Sequence, residues 1–288
     1  MLDSEFKHNF HTHTYRCKHA RGETTDYCRS AVDLGMETIG FSDHTALPDN
    51  RWISARMDYS ELEGYVDAVH RAQRGFSSLR VLLGMECEYI HEFHTFYEDE
   101  LLGQYGFDYL VGGPHFFTDD YGNWHGAYSG AVDPSSLRHY GRYVQEMVAS
   151  GLFAFIAHPD LFGVCYKDWD ADAIACSRDI LAAAQEHDVG LEINALGLEK
   201  IARKKSTNPY PLYPWLPFWE LATEYDIQTI VNADAHRPQD LIRRTGAATD
   251  IQERLGLKAM DPNLIGIQEQ PQDAQTQSWV KLHKDSMK

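Results

Sequence analysis

Histidine is the residue type that stands out in this sequence. The chain of 288 residues contains 15 histidines, and many of them lie beside Asp or Glu in short motifs. His11 and His13 form the motif H-T-H. Because side chains alternate along a strand, both imidazoles would project from one face and could bind one cation together. This spacing is weak evidence by itself, since surface and core histidines are common.

Similar residues occur where the other predicted strands end. Each follows a short apolar run, and chance would scatter such residues over the helices as well. The strand-end residues are His11, His13, Asp43, His44, Glu86, His115, His158, Asn194, Asp234 and His236. The carboxyl ends of parallel strands converge on a single mouth in a barrel. We therefore expect these side chains to meet there as a metal site.

Glu86 is a candidate bridge between two metals. It ends the apolar run V-L-L-G-M, where an unpaired carboxylate would be costly. A carboxylate can bridge two cations that lie roughly 3.5–4 Å apart in hydrolytic sites. Glu88 follows two residues later and is expected either to support the site from outside the ligand set or to be a solvated acid.

Seven predicted strands that alternate with helices must position these residues. The strands are expected at 6–11, 38–42, 80–86, 108–112, 152–158, 189–194 and 227–233. Helices are expected at 24–34, 60–74 and 171–186, and another begins at Pro134. This alternation favours an α/β fold with a closed, TIM-like barrel. An open doubly wound sheet is the alternative, but no G-x-G-x-x-G follows the first strand.

Composition restricts the partners and the location. The chain has 43 acidic and 26 basic residues and a net charge of −17, which disfavours binding to nucleic acid or anionic lipid. No apolar stretch approaches the roughly 20 residues that cross a bilayer, and the start lacks the order of a signal peptide. The five cysteines are scattered and expected to be reduced. We expect a cytoplasmic protein with one domain over 1–260 and a polar extension over 261–288.

The motifs also occur in a recognisable order. They are H-T-H, S-D-H, G-M-E, G-P-H-F, A-H-P-D-L, L-E-I-N and D-A-H-R-P, between His11 and Pro238. This series resembles the PHP (polymerase and histidinol phosphatase) superfamily. The elements C-K-H-A and L-E-I-N-A-L-G-L resemble its histidinol-phosphate phosphatase branch most. The resemblance implies a distorted (β/α)7 barrel with three divalent metal ions, which would be Zn, Fe or Mn.

The resemblance also implies a ligand set. A first metal would be bound by His11, His13, Glu86 and Asp234, a second by Glu86, His115 and His158, and a third by His19, His44 and His236. All nine positions carry a residue that can bind a metal. The implied activity is the hydrolysis of L-histidinol phosphate, a small phosphomonoester. Glu86 and Asp234 would be catalytic, and Asp234, Asp160 or a nearby histidine would protonate the leaving group.

Two other functions remain open at this point. One is a related phosphoesterase that acts on phosphotyrosine, a nucleotide, a DNA end or another small phosphate ester. The other is a metal-binding barrel without turnover. The series departs from the family in one place, because Glu199 stands where many members have a basic residue. Phosphate contacts are then expected from Arg16, Arg203, Lys204 or Arg237, and the acids Glu199, Asp160 or Glu88 are expected to meet the substrate's ammonium group.

Overall fold

The computed structural model describes residues 6–203 and 212–266 of the chain. Short strands alternate with helices along these residues. The strands are β1 (His8–Asn9), β2 (Thr38–Phe41), β3 (Arg80–Cys87), β4 (Tyr109–Gly112), β5 (Phe116–Thr118), β6 (Trp124–Gly126), β7 (Phe155–Ile156), β8 (Gly190–Asn194), β9 (Gln228–Asn232) and β10 (Lys258–Ala259).

The helices lie between the strands. They are α1 (Thr24–Asp33), α2 (Leu62–Gly75), α3 (Ala127–Gly130), α4 (Pro134–Ala149), α5 (Ala171–Glu186), α6 (Ala195–Arg203), α7 (Leu216–Ala222) and α8 (Thr245–Leu255). A π-helical segment, Phe96–Gln104, precedes β4. Asp133 caps α4 by accepting a hydrogen bond from the N–H of Ser136, and Asp170 caps α5 in the same way. Such side-chain acceptors satisfy N–H groups that the first turn of a helix leaves unpaired.

All the strands except the β5–β6 hairpin form one parallel sheet. Its order is β1-β2-β3-β4-β7-β8-β9-β10, so neighbours in the sheet follow one another along the chain. The sheet curls until the chain after β1 meets the chain after β9. There the N–H of His13 donates to the carbonyl of Ala235, and the N–H of Ala235 donates to the carbonyl of His11. The predicted TIM-like α/β barrel is confirmed, and an open doubly wound sheet is excluded.

Tyr109 fills the barrel interior beneath the strand ends. Its hydroxyl donates to the carbonyl of Phe10 at 2.7 Å. Gly40 and Gly84 face its ring, and a Cβ atom at either position would overlap the tyrosine. The buried residues around this ring are Phe10, Leu82, Val111, Phe155, Ala157, Ile230 and Ile265. This apolar layer lies below the polar mouth and supports it.

Residues 261–266 are the described part of the predicted extension. Ile265 is buried, and its carbonyl accepts a hydrogen bond of 2.7 Å from Arg80. Residues 261–266 therefore pack against the barrel, and residues 267–288 lie outside the described residues. None of the helices within the described ranges is both long and apolar enough to span a membrane.

Candidate metal centre

Glu86 lies at the centre of the barrel mouth, near the carboxyl end of β3. Its side chain is 1% exposed, and five imidazoles surround the carboxylate. Oε1 lies 3.4 Å from Nε2 of His11, 3.3 Å from Nε2 of His115 and 3.2 Å from Nε2 of His158. Oε2 lies 3.5 Å from Nε2 of His13 and 3.0 Å from Nδ1 of His44. Imidazoles from four other strand ends therefore surround the carboxylate of Glu86.

Asp234 provides a second carboxylate at the same mouth. Its Oδ1 atom lies 3.6 Å from Nε2 of His11, 3.2 Å from Nε2 of His13 and 3.4 Å from Nδ1 of His236. Asp234 has a φ of 49° and His158 a φ of 32°, in the left-handed region that residues other than glycine rarely adopt. Backbone strain of this kind clusters at functional sites.

The ligand atoms fall into groups that suit metal ions. In each group the atoms lie within 4.8 Å of one another, and the groups are His11-His13-Asp234, His11-Glu86-His158, His13-His44-Glu86, His19-His44-His236 and His13-Cys17-His236. The first and fourth correspond to parts of the ligand set that the family resemblance implied. His115 joins none of these groups, but its Nε2 atom faces Glu86. The Cys17 sulfur accepts a hydrogen bond from the N–H of Ala20, and burial raises its pKa to about 12.

Several buried polar atoms at the mouth make no hydrogen bond to any of the residues that the structure describes. They are Nε2 of His11, Nε2 of His13, Nδ1 of His44, both carboxylate oxygens of Glu86 and Oδ1 of Asp234. Buried polar groups normally have a hydrogen-bond partner. Nitrogen and oxygen atoms that carry lone pairs and face one shared space therefore indicate a binding partner from outside the protein. Imidazole nitrogen and carboxylate oxygen suit Zn, Fe and Mn. These residues therefore fit a cluster of divalent cations.

The charge states at the mouth also suit metal binding. Burial alone would raise the pKa of Glu86, but His115, His11 and His44 hold it well below its ordinary value. Burial likewise would raise the pKa of Asp234, but His11, His13 and His236 hold it well below its ordinary value. Both side chains are thus carboxylates near neutral pH. This state suits Asp234 as a ligand better than as the proton donor that the sequence allowed.

Glu88 supports His115 from behind. It accepts a hydrogen bond of 3.0 Å from Nδ1 of His115 and two of 2.7 Å from Arg56. Glu88 is 0% exposed, so it is not a solvated acid. Its contacts leave Nε2 of His115 directed at Glu86. Carboxylates of this kind fix the tautomer and the orientation of a metal-binding histidine.

Glu192, which the sequence reasoning missed, supports His11 in the same way. It lies on β8, and its Oε1 accepts a hydrogen bond of 2.8 Å from Nδ1 of His11. Its Oε2 accepts from the N–H of His158 at 3.1 Å and from the amide of Asn194 at 2.8 Å. Asn194 also donates to Asp234. The spacing of Glu and Asn in L-E-I-N could have revealed Glu192, because alternate strand residues share a face.

A cavity of about 560 Å³ opens over these residues. Its lining includes His13, His19, His44, Glu86, His115, His158, Asp234, His236, Phe116, Tyr128 and Lys200. Lys200 lies on α6, and its Nζ atom donates to the hydroxyl of Tyr213 at 2.5 Å. Lys200 is not among the residues expected from the sequence, although it follows Glu199 directly. A cavity of this volume is within the range of small-molecule sites.

Arg16 does not line this cavity. Its guanidinium makes two hydrogen bonds to Glu23, of 2.7 and 2.9 Å, and packs over the ring of Tyr15. Asp160 is also displaced from the cavity. It is 1% exposed, and its Oδ2 accepts hydrogen bonds from the backbone of Trp215 and the indole of Trp219. The sequence expectation that Arg16 contacts phosphate and Asp160 moves a proton does not fit these positions.

Glu199 lies among arginines instead of facing a substrate ammonium. It pairs with Arg203 at 2.7 Å, Arg244 at 3.0 Å and Arg243 at 3.6 Å. Glu199, Arg203 and Arg237 line a side pocket of about 140 Å³ that also touches Asp234 and His236. Lys204 lies outside the described residues. The acids expected to meet an ammonium group are thus all engaged with other protein groups.

Both the sequence and the fold are similar to those of known proteins. A family model described as the PHP domain matches residues 9–196. A protein of Deinococcus radiodurans named "Probable histidinol-phosphatase" is 28% identical over 240 residues, which are 80% of this chain and 86% of the relative. Two crystal structures share the fold. The first is a candidate histidinol phosphatase from Listeria monocytogenes, with a TM-score of 0.68 at 21% identity. The match covers 84% of this chain and 99% of the Listeria chain.

The second structure is a histidinol phosphate phosphatase from Lactococcus lactis in complex with Zn, L-histidinol and phosphate. It has a TM-score of 0.65 at 16% identity, and the match covers 88% of this chain and 95% of that chain. At these identities the two structures establish the likeness of the barrel alone.

Proposed function

The chain belongs to the PHP domain family, and we propose that it is a metal-dependent phosphomonoesterase that hydrolyses L-histidinol phosphate to L-histidinol and phosphate. The observation that carries this proposal is the convergence of nine metal-competent side chains beside a cavity of about 560 Å³. The Deinococcus relative, named as a histidinol-phosphatase, supports the substrate. The Lactococcus enzyme binds Zn, L-histidinol and phosphate on the same fold.

We assign three divalent cations, Zn, Fe or Mn, to the strand-end residues. Their ligands would be His11, His13, Glu86 and Asp234 for the first, Glu86, His115 and His158 for the second, and His19, His44 and His236 for the third. When bound, such cations neutralise charge on phosphoryl oxygens and lower the pKa of a water molecule. Glu86 is the residue suited to sharing between cations, because its two oxygens face different imidazoles.

Lys200 supplies the positive charge that the cavity wall presents to a phosphate group. Its ammonium is held by the hydroxyl of Tyr213 and lies 5.4 Å from the ring centre of Tyr128. An ammonium held in this way can make a charge-assisted hydrogen bond to a phosphoryl oxygen. Arg237 lines the side pocket and is a second source of positive charge. None of the described carboxylates lies within 4.0 Å of its guanidinium nitrogens.

The aromatic wall suits the alcohol part of the substrate. Phe116 and Tyr128 line the cavity, and Trp52 stacks on Phe116 with ring centres 3.9 Å apart. An imidazole ring can pack against such a surface. We assign no acid to the substrate ammonium, because Glu88 and Glu199 are paired with arginines and Asp160 is buried away from the cavity.

The test is a comparison of substrates with metal-reconstituted protein. Phosphate release is measured for L-histidinol phosphate, phosphotyrosine, a nucleoside monophosphate and an aryl phosphate. We expect kcat/KM for L-histidinol phosphate to exceed the others at least tenfold, or about 1.4 kcal/mol of transition-state preference. A tenfold preference for phosphotyrosine or the nucleotide would assign the site to another phosphoesterase reaction. Absence of phosphate release from every substrate would indicate a metal-binding barrel without turnover.

A further inference from the structure

Two buried glutamates, Glu88 and Glu192, each accept a hydrogen bond from the Nδ1 atom of a site histidine. Of these two glutamates, only Glu88 forms an ion pair with a lysine or arginine side chain of the described residues. Glu88 pairs with Arg56 through two hydrogen bonds of 2.7 Å, and their side chains are 0% and 2% exposed. Glu192 is 0% exposed. Across residues 6–203 and 212–266, no Lys or Arg nitrogen lies within 4.0 Å of its carboxylate. Its other donors, the N–H of His158 and the amide of Asn194, are neutral.

The two histidines are otherwise held in a similar way. Nδ1 of His11 lies 2.8 Å from Glu192, and Nδ1 of His115 lies 3.0 Å from Glu88. Their Nε2 atoms lie 3.4 and 3.3 Å from the same oxygen of Glu86. Behind their Nδ1 atoms, the difference between them is therefore the guanidinium of Arg56. On the Nε2 side, His11 also lies 3.6 Å from Asp234. The guanidinium cancels the charge of one supporting carboxylate and leaves the other intact.

This difference acts on any cation that the histidines bind. A carboxylate behind a metal-binding imidazole makes the ring a stronger donor, and its negative charge attracts the cation in a low-dielectric interior. An adjacent guanidinium opposes both effects. We define the His11 group as His11, His13 and Asp234, and the His115 group as His115, His158 and Glu86.

We propose that Glu192 and the Arg56–Glu88 pair are positioning residues that give these two groups unequal affinities for a divalent cation. The His11 group binds the cation more tightly, and the His115 group fills at a higher metal concentration. Divalent cations thus fill the His11 group before the His115 group as their concentration rises. This inference rests on the metal-binding part of the proposed function. Because Asp234 also favours the His11 group, variants are needed to isolate the effects of Glu192 and Arg56.

The first test titrates metal-free protein with Zn²⁺ in competition with a chromophoric chelator. The wild type should show a tight class of sites, which includes the His11 group, and a weaker class, which includes the His115 group. Glu192→Gln keeps the size of the side chain but removes its charge. It should weaken the tight class by about 10- to 100-fold, the range found when such supporting residues are changed, and shift the weaker class less than threefold. Glu186→Gln, at an exposed position of α5, is the matched control.

The second test changes the guanidinium. Arg56→Met leaves Glu88 without its cation, so the weaker class should tighten at least tenfold, whereas Arg56→Lys keeps the charge and should stay within threefold of the wild type. If Arg56→Met does not fold, Glu88→Gln and the double variant Arg56→Met/Glu88→Gln replace it. Glu88→Gln should weaken this class at least tenfold, and the double variant should restore it, because the pair is again neutral.

Each outcome bears on a defined part of the account. Circular dichroism first establishes that each variant is folded. An unchanged tight class in Glu192→Gln, or a weaker class that does not respond to the charge at Arg56 and Glu88, overturns the inference and leaves the proposed function intact. A folded wild type that binds no Zn²⁺, Mn²⁺ or Fe²⁺ overturns both.

Discussion

His11, which follows β1, and His236, which follows β9, contact the same atom, Oδ1 of Asp234. The distances are 3.6 Å from Nε2 of His11 and 3.4 Å from Nδ1 of His236. This contact is possible because the sheet closes between β1 and β9, where Thr12 bridges to Ala235. The closure of the barrel therefore brings the residues after β1 and those after β9 into one site.

Glu86→Gln should lower kcat for phosphate release by at least about 10² and reduce the metal content of the purified protein. Both oxygens of Glu86 face imidazoles, and an amide offers the cations one neutral oxygen in place of two charged ones. Steady-state kinetics and elemental analysis measure the two effects. Glu63→Gln, at an exposed position of α2, is the control. Turnover near the wild-type rate with full metal content would contradict a role for Glu86 in sharing cations.

Lys200→Met should raise KM for L-histidinol phosphate by about 10- to 100-fold, because a charge-assisted hydrogen bond contributes roughly 1.5–3 kcal/mol. Tyr213→Phe should have a smaller effect in the same direction, since the hydroxyl positions the ammonium. Lys167→Met changes an exposed lysine and should leave KM unchanged. If KM is the same in Lys200→Met and the wild type, the phosphate contact belongs to other residues.

Asp160→Asn should leave kcat within about threefold of the wild type. Burial raises the pKa of Asp160 to about 7, which would suit a proton donor. Its hydrogen bonds to Trp215 and Trp219, however, indicate a structural acceptor. Asp160→Ala should destabilise the fold by about 1–3 kcal/mol, because it leaves two buried donors unpaired. Kinetics and chemical denaturation separate the roles, since loss of a proton donor typically costs 10² or more in kcat.

The Arg16–Glu23 pair should contribute stability that depends on pH. Burial alone would raise the pKa of Glu23, but the hydrogen bonds and charge of Arg16, together with hydrogen bonds from Thr24, lower it below its ordinary value of 4.5. The contribution is therefore complete above pH 4.5 and is lost as pH falls through the lowered pKa. For this partly exposed pair we expect about 1 kcal/mol. Denaturation of the wild type and Glu23→Gln should differ by this amount near pH 7 and converge in acid. A difference that grows in acid would contradict the pairing.

The alternation of strands and helices and the meeting of the strand-end residues at one mouth could be predicted, because both depend on short-range patterns. His11 and His13 follow from the period of two along a strand, and Glu86 follows from a carboxylate at the end of a buried run. The prediction of a metal site depends mainly on the occurrence of such residues at successive strand ends. This information is local, and the topology of a parallel barrel then brings the ends together.

The partners of the charged side chains around the strand-end residues could not be predicted in the same way. The pairing of Arg56 with Glu88 joins residues 32 positions apart through a loop conformation that has no periodic signal. Lys200 and Glu199 are neighbours in sequence, but each helical residue is rotated by about 100° from the previous one. Lys200 therefore faces the main cavity while Glu199 faces the arginines of the side pocket. A charge in the sequence does not identify the partner that neutralises it.

The most direct test of the account is the hydrolysis of L-histidinol phosphate during stepwise addition of Zn²⁺ or Mn²⁺ to metal-free protein. Phosphate release and bound metal are measured on the same samples. The account predicts no turnover above background without metal, and turnover that rises with occupancy until the strand-end site is filled. Full turnover by metal-free protein in excess chelator, or no turnover by fully loaded protein, would contradict it.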